Sequence, residues 1–111
     1  MDSILTSIKL MLGITEECTD FDSQLILHIN SVFMTLHQLG VGPTEGFRIE
    51  NDSAIWSDYI IEEDNLDAVK SYINLKVKLL FDPPLGAAVL EATKQMVNEL
   101  EWRLNVQAET K

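Results

Sequence analysis

The stretch VKLLFDPPLGAAVLEA, residues 77–92, decides the fold. It opens as an apolar helix, meets two prolines, and resumes as a second helix. Pro83 disfavours α geometry at Asp82, and no proline can continue a helix interior, so the first helix ends at about that point. A proline in the first turn of a helix gives up an N–H that has no intrahelical acceptor anyway, which places Pro83 or Pro84 at the start of the second. A connection this short makes the two helices near neighbours, predicted to be an antiparallel pair.

Working outward, four helical patterns emerge. The helix before the prolines runs over 64–80 or 81, with Leu66, Val69, Ile73, Val77 and Leu80 on one stripe and Tyr72, Leu75 and Leu79 on another. The helix after them covers 86–104, with Val89, Ala92, Met96 and Leu100 on one stripe and Leu90, Val97 and Leu104 offset from it. Upstream, residues 20–39 place Leu25, Ile29, Val32, Leu36 and Leu39 at helical spacing, stopped by Gly40. Thr19 and Asp22 form an acidic variant of a capping box at its start. A short first helix over 3–12 ends at Gly13. Two apolar stripes on a helix exceed what one neighbouring helix covers. The surplus must meet a further helix or another molecule, so self-association or a protein partner is expected.

The pattern breaks over 41–63. Glycines and Pro43 make helix unfavourable at its start, and FRI (47–49) and AIW (54–56) flank Asn51-Asp52-Ser53, which is turn chemistry compatible with a short β-hairpin. Insertions of this length in a small domain are uncommon and are usually functional or mobile. The expected architecture is therefore all-α: one domain over 1–105, about four helices, a long loop or short hairpin between the second and third, and a polar tail over 106–111 expected to order only on a partner.

Charge is as uneven as hydropathy. The 111 residues carry 18 acidic and 8 basic side chains, for a net charge of −10. Between Val41 and Asp67 lie Glu45, Glu50, Asp52, Asp58, Glu62, Glu63, Asp64 and Asp67 against Arg48 alone. Proteins that grip phosphates concentrate Lys and Arg, so nucleic-acid binding is disfavoured. The N-terminal MDSILTSIKLMLG has neither a basic region nor a small-residue cleavage site, so no secretory signal is expected, and an intracellular setting is. The single Cys18 excludes an intrachain disulfide framework.

A search for chemistry returns little. His28 and His37 are nine residues apart on one helix, face different ways, and read as boundary residues. Cys18 sits beside Glu16 and Glu17, which oppose thiolate formation. The acids at 62–64 are explained by a helix N-terminus with Asp64 as cap, where negative charge suits the dipole, rather than by a metal. Lys70, Lys76 and Lys78 are expected to pair with Asp67, Asp82 or acids of the last helix. No enzymatic activity, cofactor or metal is expected. Trp56 and Tyr59 either anchor a partner or fold back over the bundle, and Trp102 belongs to the core or to a subunit interface.

Several segments, taken in order, carry a resemblance. LGI (12–14), DFDSQLILHINSVFMTLHQLGV (20–41), WSDYI (56–60), VKSYINLKVKLLFDPP (69–84) and ELEWRLN (99–105) together resemble the head–tail connector, or adaptor, proteins of tailed phages and prophages, including those described as DNA-packaging proteins. LLFDPP and ELEWRLN are the most specific marks. The resemblance implies a small helical virion protein, assembled in the bacterial host cytoplasm, that forms a homo-oligomeric ring at the head–tail junction. The ring would dock on the portal protein, extend the DNA channel without binding DNA specifically, and present a platform to the next tail-completion or stopper protein. It further implies that residues 42–61 and 106–111 reach outside the subunit. Phe47, Ile49, Ile55, Trp56 and Tyr59 are then the expected partner contacts if the loop is exposed, with Leu79 and Trp102 as further interface candidates. On that basis replacing Trp56 should impair assembly and spare folding. The alternative is a small acidic helical adaptor or regulatory module that binds one protein partner.

Overall fold

A serine starts the first helix. The Ser3 Oγ accepts a hydrogen bond from the Thr6 N–H (3.2 Å), capping α1, Ile4–Met11. The computed structural model describes the backbone of residues 3–43, 45–59 and 63–109, and the side chains of these except 63–65. Four further helices follow: α2 Asp22–Gln38, α3 Trp56–Tyr59, α4 Glu63–Phe81 and α5 Ala87–Glu109. The all-α class expected from periodicity holds. Among the described residues there is no hairpin: Ile55 forms an isolated bridge with Ser3, and the Ile4 N–H donates to the Ala54 carbonyl (2.9 Å). The end of the insertion is thus laid along the start of α1 instead of pairing with residues 47–49.

The helices gather around α4, which packs against α2 and against α5, while α1 packs against α2. Phe81 at the end of α4 meets Phe21, just before α2, edge to face at 5.5 Å, so α2 and α4 run antiparallel. Tyr72 on α4 meets Glu101 on α5, and Lys76 meets the same residue, so α4 and α5 are antiparallel as the double proline demands. The prolines themselves lie in the 82–86 connection, outside the first turn of α5. There Gly86 provides the first acceptor, for the Leu90 N–H (2.9 Å). α5 continues through Glu109, past the expected end at Leu104, and Ala108 lies so near Gly40 that a Cβ built there would stand 3.1 Å from the Ala108 Cβ. The residues expected to form a polar tail are therefore helical as far as Glu109.

The start of α2 is not capped by Thr19. Phe21 occupies the cap position with no side-chain hydrogen bond, and the Asp22 N–H reaches the Thr19 carbonyl at 3.3 Å. The Asp22 carboxylate is committed elsewhere, to Lys9 Nζ at 3.0 Å. Lys9 is buried, and it also donates to the Glu16 carbonyl (3.0 Å), so one ammonium ties the 12–21 connection to α1. The expected cap at Asp64 also shifts: α4 begins at Glu63, so Asp64 is inside the helix, and its side chain, like Glu62, lies outside the described residues.

The core joins Ile4, Leu5 and Ile8 of α1, Leu25, Ile29, Val32, Phe33 and Leu36 of α2, and Val69, Tyr72, Ile73 and Val77 of α4. α5 adds only Val97 and Leu104 as fully buried side chains. The molecule is a slab of 40 × 36 × 20 Å, about two helix diameters thick. A slab that thin cannot cover every apolar stripe, and this leaves large hydrophobic side chains at the surface.

Candidate functional site

The insertion folds inward. Asn30, at the middle of α2, acts as a surrogate strand for residue 49: its Nδ2 donates to the Ile49 carbonyl (2.9 Å) and its Oδ1 accepts from the Ile49 N–H (2.7 Å). Ile49 is thereby held at 1% exposure. Two residues earlier, the Phe47 ring stacks against Phe33 (5.1 Å) and Tyr59 (5.1 Å), and those two lie 4.6 Å apart. Tyr59 passes so close to Gly42 that a Cβ there would stand 2.8 Å from the ring, and Gly42 has φ +92°. Only glycine satisfies both conditions.

Trp56 is also pinned. Its Nε1 donates to Ser7 Oγ (3.0 Å), and the Lys70 ammonium sits 5.2 Å from its ring centroid. The Asp58 carboxylate accepts from the Ile55 N–H (3.0 Å) and so closes the single turn of α3. The turn foreseen at Asn51–Ser53 is present, with the Ser53 N–H donating to Asn51 Oδ1 (2.8 Å). Burial raises the pKa of Tyr59, and burial together with the bond to Glu101 raises that of Tyr72.

These contacts decide between the two readings of the loop aromatics. Ile49, Trp56 and Tyr59 belong to the core, so the exposure on which their role as partner contacts depended is not met. Phe47 and Ile55 are half-buried. Leu79 is half-buried at the α4–α5 seam, in a shallow depression shared with Lys76, Leu80, Lys94 and Val97. Trp102 stands out at 67% exposure, so it is not a core residue of the subunit. The lysines divide: Lys78 pairs with Asp82 (2.9 Å) and Lys76 with Glu101 (3.4 Å), whereas Lys70 covers Trp56 instead of an acid.

Among the described residues Leu10 and Met11 of α1 are exposed, and two further apolar surfaces bear on assembly. The first is a groove of about 630 Å³ between α2 and the inserted loop, walled by Leu27, Met34, Phe33 and Phe47, with His37 and Arg48 at its rim. Leu27 and Met34 are 69% and 65% exposed although they lie on a helix whose opposite face is fully packed. The second is the outer side of α5 with the loop before it, where Leu85, Val89, Met96, Trp102 and Val106 are exposed. Of the stripe Val89, Ala92, Met96 and Leu100, the first three are exposed and Leu100 packs against the core, while in the offset set Leu90 is half-buried and Val97 and Leu104 face the core. Among the described residues no group of three His, Cys, Asp or Glu side chains could hold a metal ion, and no helix is long and apolar enough to cross a membrane.

A molecule that is all scaffold and uncovered surface fits a structural part, and the family comparison agrees: the model of a family described as phage connector protein matches residues 4–111. The chain belongs to the phage connector protein family. Membership makes its role a structural one in a phage, as the resemblance implied. No curated protein and no solved structure matches the chain. The connector assignment covers both open surfaces, the inserted loop and the whole of α5. Neither Asn30 nor Lys9, which together fix the loop and the 12–21 connection, stands out in the sequence. An amide one residue after a core isoleucine, and a lysine within an apolar helix, are the faint signals that could have flagged them.

Proposed function

We propose that this connector is a ring-forming subunit of the head–tail junction that docks on the portal protein and extends the DNA channel toward the tail. The observation that carries the reading is the pair of open apolar surfaces on different faces of one subunit, the groove along α2 and the outer side of α5. Two unlike patches that satisfy each other in successive copies give a head-to-tail contact, and such a contact closes into a ring when its rotation permits. An isologous dimer would need one self-complementary patch instead.

Charge supports the channel role. Glu45, Glu50, Asp52 and Asp58 are exposed on or next to the inserted loop. Facing a lumen they would repel phosphates, so that DNA passes without being retained. The far end of α5 and residues beyond it are the segment offered to the portal or to the next tail-completion protein. The protein would assemble in the host cytoplasm and remain in the virion.

The test is complementation. A phage lacking this gene should accumulate DNA-filled heads beside separate tails, and purified protein added to that lysate should restore infectious particles. Intact, infectious particles in the absence of the gene would overturn the proposal.

A further inference from the structure

Resting on the ring reading and going beyond it, we propose that the α2–loop groove receives α5 of the next copy of this chain, with Trp102 as the anchor and Glu99 against Arg48. On α5, Ala92, Gln95, Glu99, Trp102 and Val106 follow one another at spacings of three and four, a single ridge on the side turned away from α4. Trp102 is its one large aromatic side chain, 67% exposed at the edge of a shallow depression that it shares with Ala68 and Leu100 of its own subunit. A buried tryptophan is among the commonest anchors of a protein interface.

The groove matches this ridge in length and offers it a base. Leu27 to Met34 spans seven residues of helix, as does Glu99 to Val106, about 10 Å in each case. The walls set Leu27, Phe33, Met34 and Phe47 among the polar Asn30, Ser31, His37, Glu45 and Arg48, and the flexible Met34 side chain can re-pack around a ring. Arg48 lies on the loop wall, is exposed, and has no ion-pair partner among the described residues. It shares the groove with Glu45, and as an unpaired guanidinium it is the group there that can receive a carboxylate from another molecule. Glu99 offers one: its present bond to Arg103 is an exposed i,i+4 pair at 2.8 Å, which contributes little and is readily shared. Seating Glu99 at Arg48 directs Trp102 toward Met34 and Phe47. Leu27 and Met34 point away from the α2 core stripe, and the ridge points away from α4. One subunit therefore cannot satisfy both, and copies link head to tail.

Disulfide trapping in the full chain tests this contact. In a Cys18→Ser background, Leu27→Cys with Gln95→Cys places one thiol at each partner surface and leaves Trp102, Arg48 and Glu99 intact. Oxidation should give a ladder of covalent multimers, whereas mixing the two single-cysteine chains should stop at dimers. Trp102→Ala should weaken self-association about 30-fold or more, the effect of truncating an interface anchor. Arg48→Glu and Glu99→Arg should each reduce assembly, and their combination should restore it. Oligomers by native mass spectrometry with no ladder and no effect of Trp102→Ala would overturn this interface while leaving the ring intact. A chain that stays monomeric at every concentration and gives no ladder would overturn both.

Discussion

Replacing Asn30 by Ala removes both hydrogen bonds that hold the inserted loop against α2. The bonds measure 2.9 and 2.7 Å, and both end on the backbone of Ile49, whose side chain is almost wholly inaccessible. Each contributes about 1 kcal/mol net, and an orphaned buried donor or acceptor costs about 1–3 kcal/mol. The Ile49 N–H and carbonyl would both lose their partner, so the loss is about 2–4 kcal/mol, a large part of the roughly 5–15 kcal/mol that stabilises a domain. The packed helices do not depend on this clamp, so the loss should appear first as local opening of the loop. Amide hydrogen exchange reads that directly: Ile49 should lose about 30-fold or more of its protection, and α4 amides such as Ile73 far less. Unchanged exchange at Ile49, with an unchanged urea midpoint, would refute the claim that Asn30 fixes the loop.

Other substitutions give contrasting outcomes. Trp56→Ala, in a side chain bonded to Ser7 and capped by Lys70, should cost about 3–5 kcal/mol in urea unfolding, so the expectation that it spares folding is withdrawn. Gly42→Ala should destabilise well beyond the roughly 1–3 kcal/mol of a left-handed alanine, because its Cβ also meets Tyr59. Gly13→Ala, at φ +81° with open space around it, should cost only the backbone term, and equal thermal shifts for the two would refute the reasoning. Tyr72→Phe removes the bond to Glu101 (2.7 Å) and should cost about 1 kcal/mol, whereas Tyr59→Phe discards a buried hydroxyl with no partner among the described residues and should be neutral or stabilising. Burial holds the pKa of both hydroxyls above the unfolded value of about 10, so they leave stability independent of pH below that value and lower it as pH rises beyond, where the unfolded chain ionises first. The double Phe variant should flatten that decline, measured by urea midpoints between neutral and strongly alkaline pH.

The helices were legible because each carries its apolar residues at spacings of three and four, and because Pro83 and Gly40 punctuate the chain without ambiguity. Boundaries fared less well, for physical reasons. Thr19 has the chemistry of a cap, but Asp22 is drawn away by the buried Lys9, a contact between residues far apart in the helix pattern. α3 is a single turn, too short for periodicity to register, and residues 105–109 have no apolar rhythm, although Ala108 has a neighbour at Gly40. The surface was legible only in outline. A surplus of apolar stripes predicted uncovered faces, yet both stripes of α5 are apolar, and packing on α4 selects Val97 and Leu104 for the core while Val89, Ala92 and Met96 stay outside. The resemblance placed Ile49, Trp56 and Tyr59 among partner contacts on condition of an exposed loop, and a segment rich in glycine and acid gives no sign of the aromatic cluster and the Asn30 clamp that draw it inward.

The measurement closest to the central claim is native mass spectrometry of the full chain over a concentration series at moderate salt. The account predicts one large species at a fixed multiple of 12.5 kDa, well above a tetramer, which Trp102→Ala shifts toward monomer. A stable dimer that persists on dilution, unaffected by Trp102→Ala, would contradict it, because a self-complementary interface would then occupy the surfaces that a ring requires.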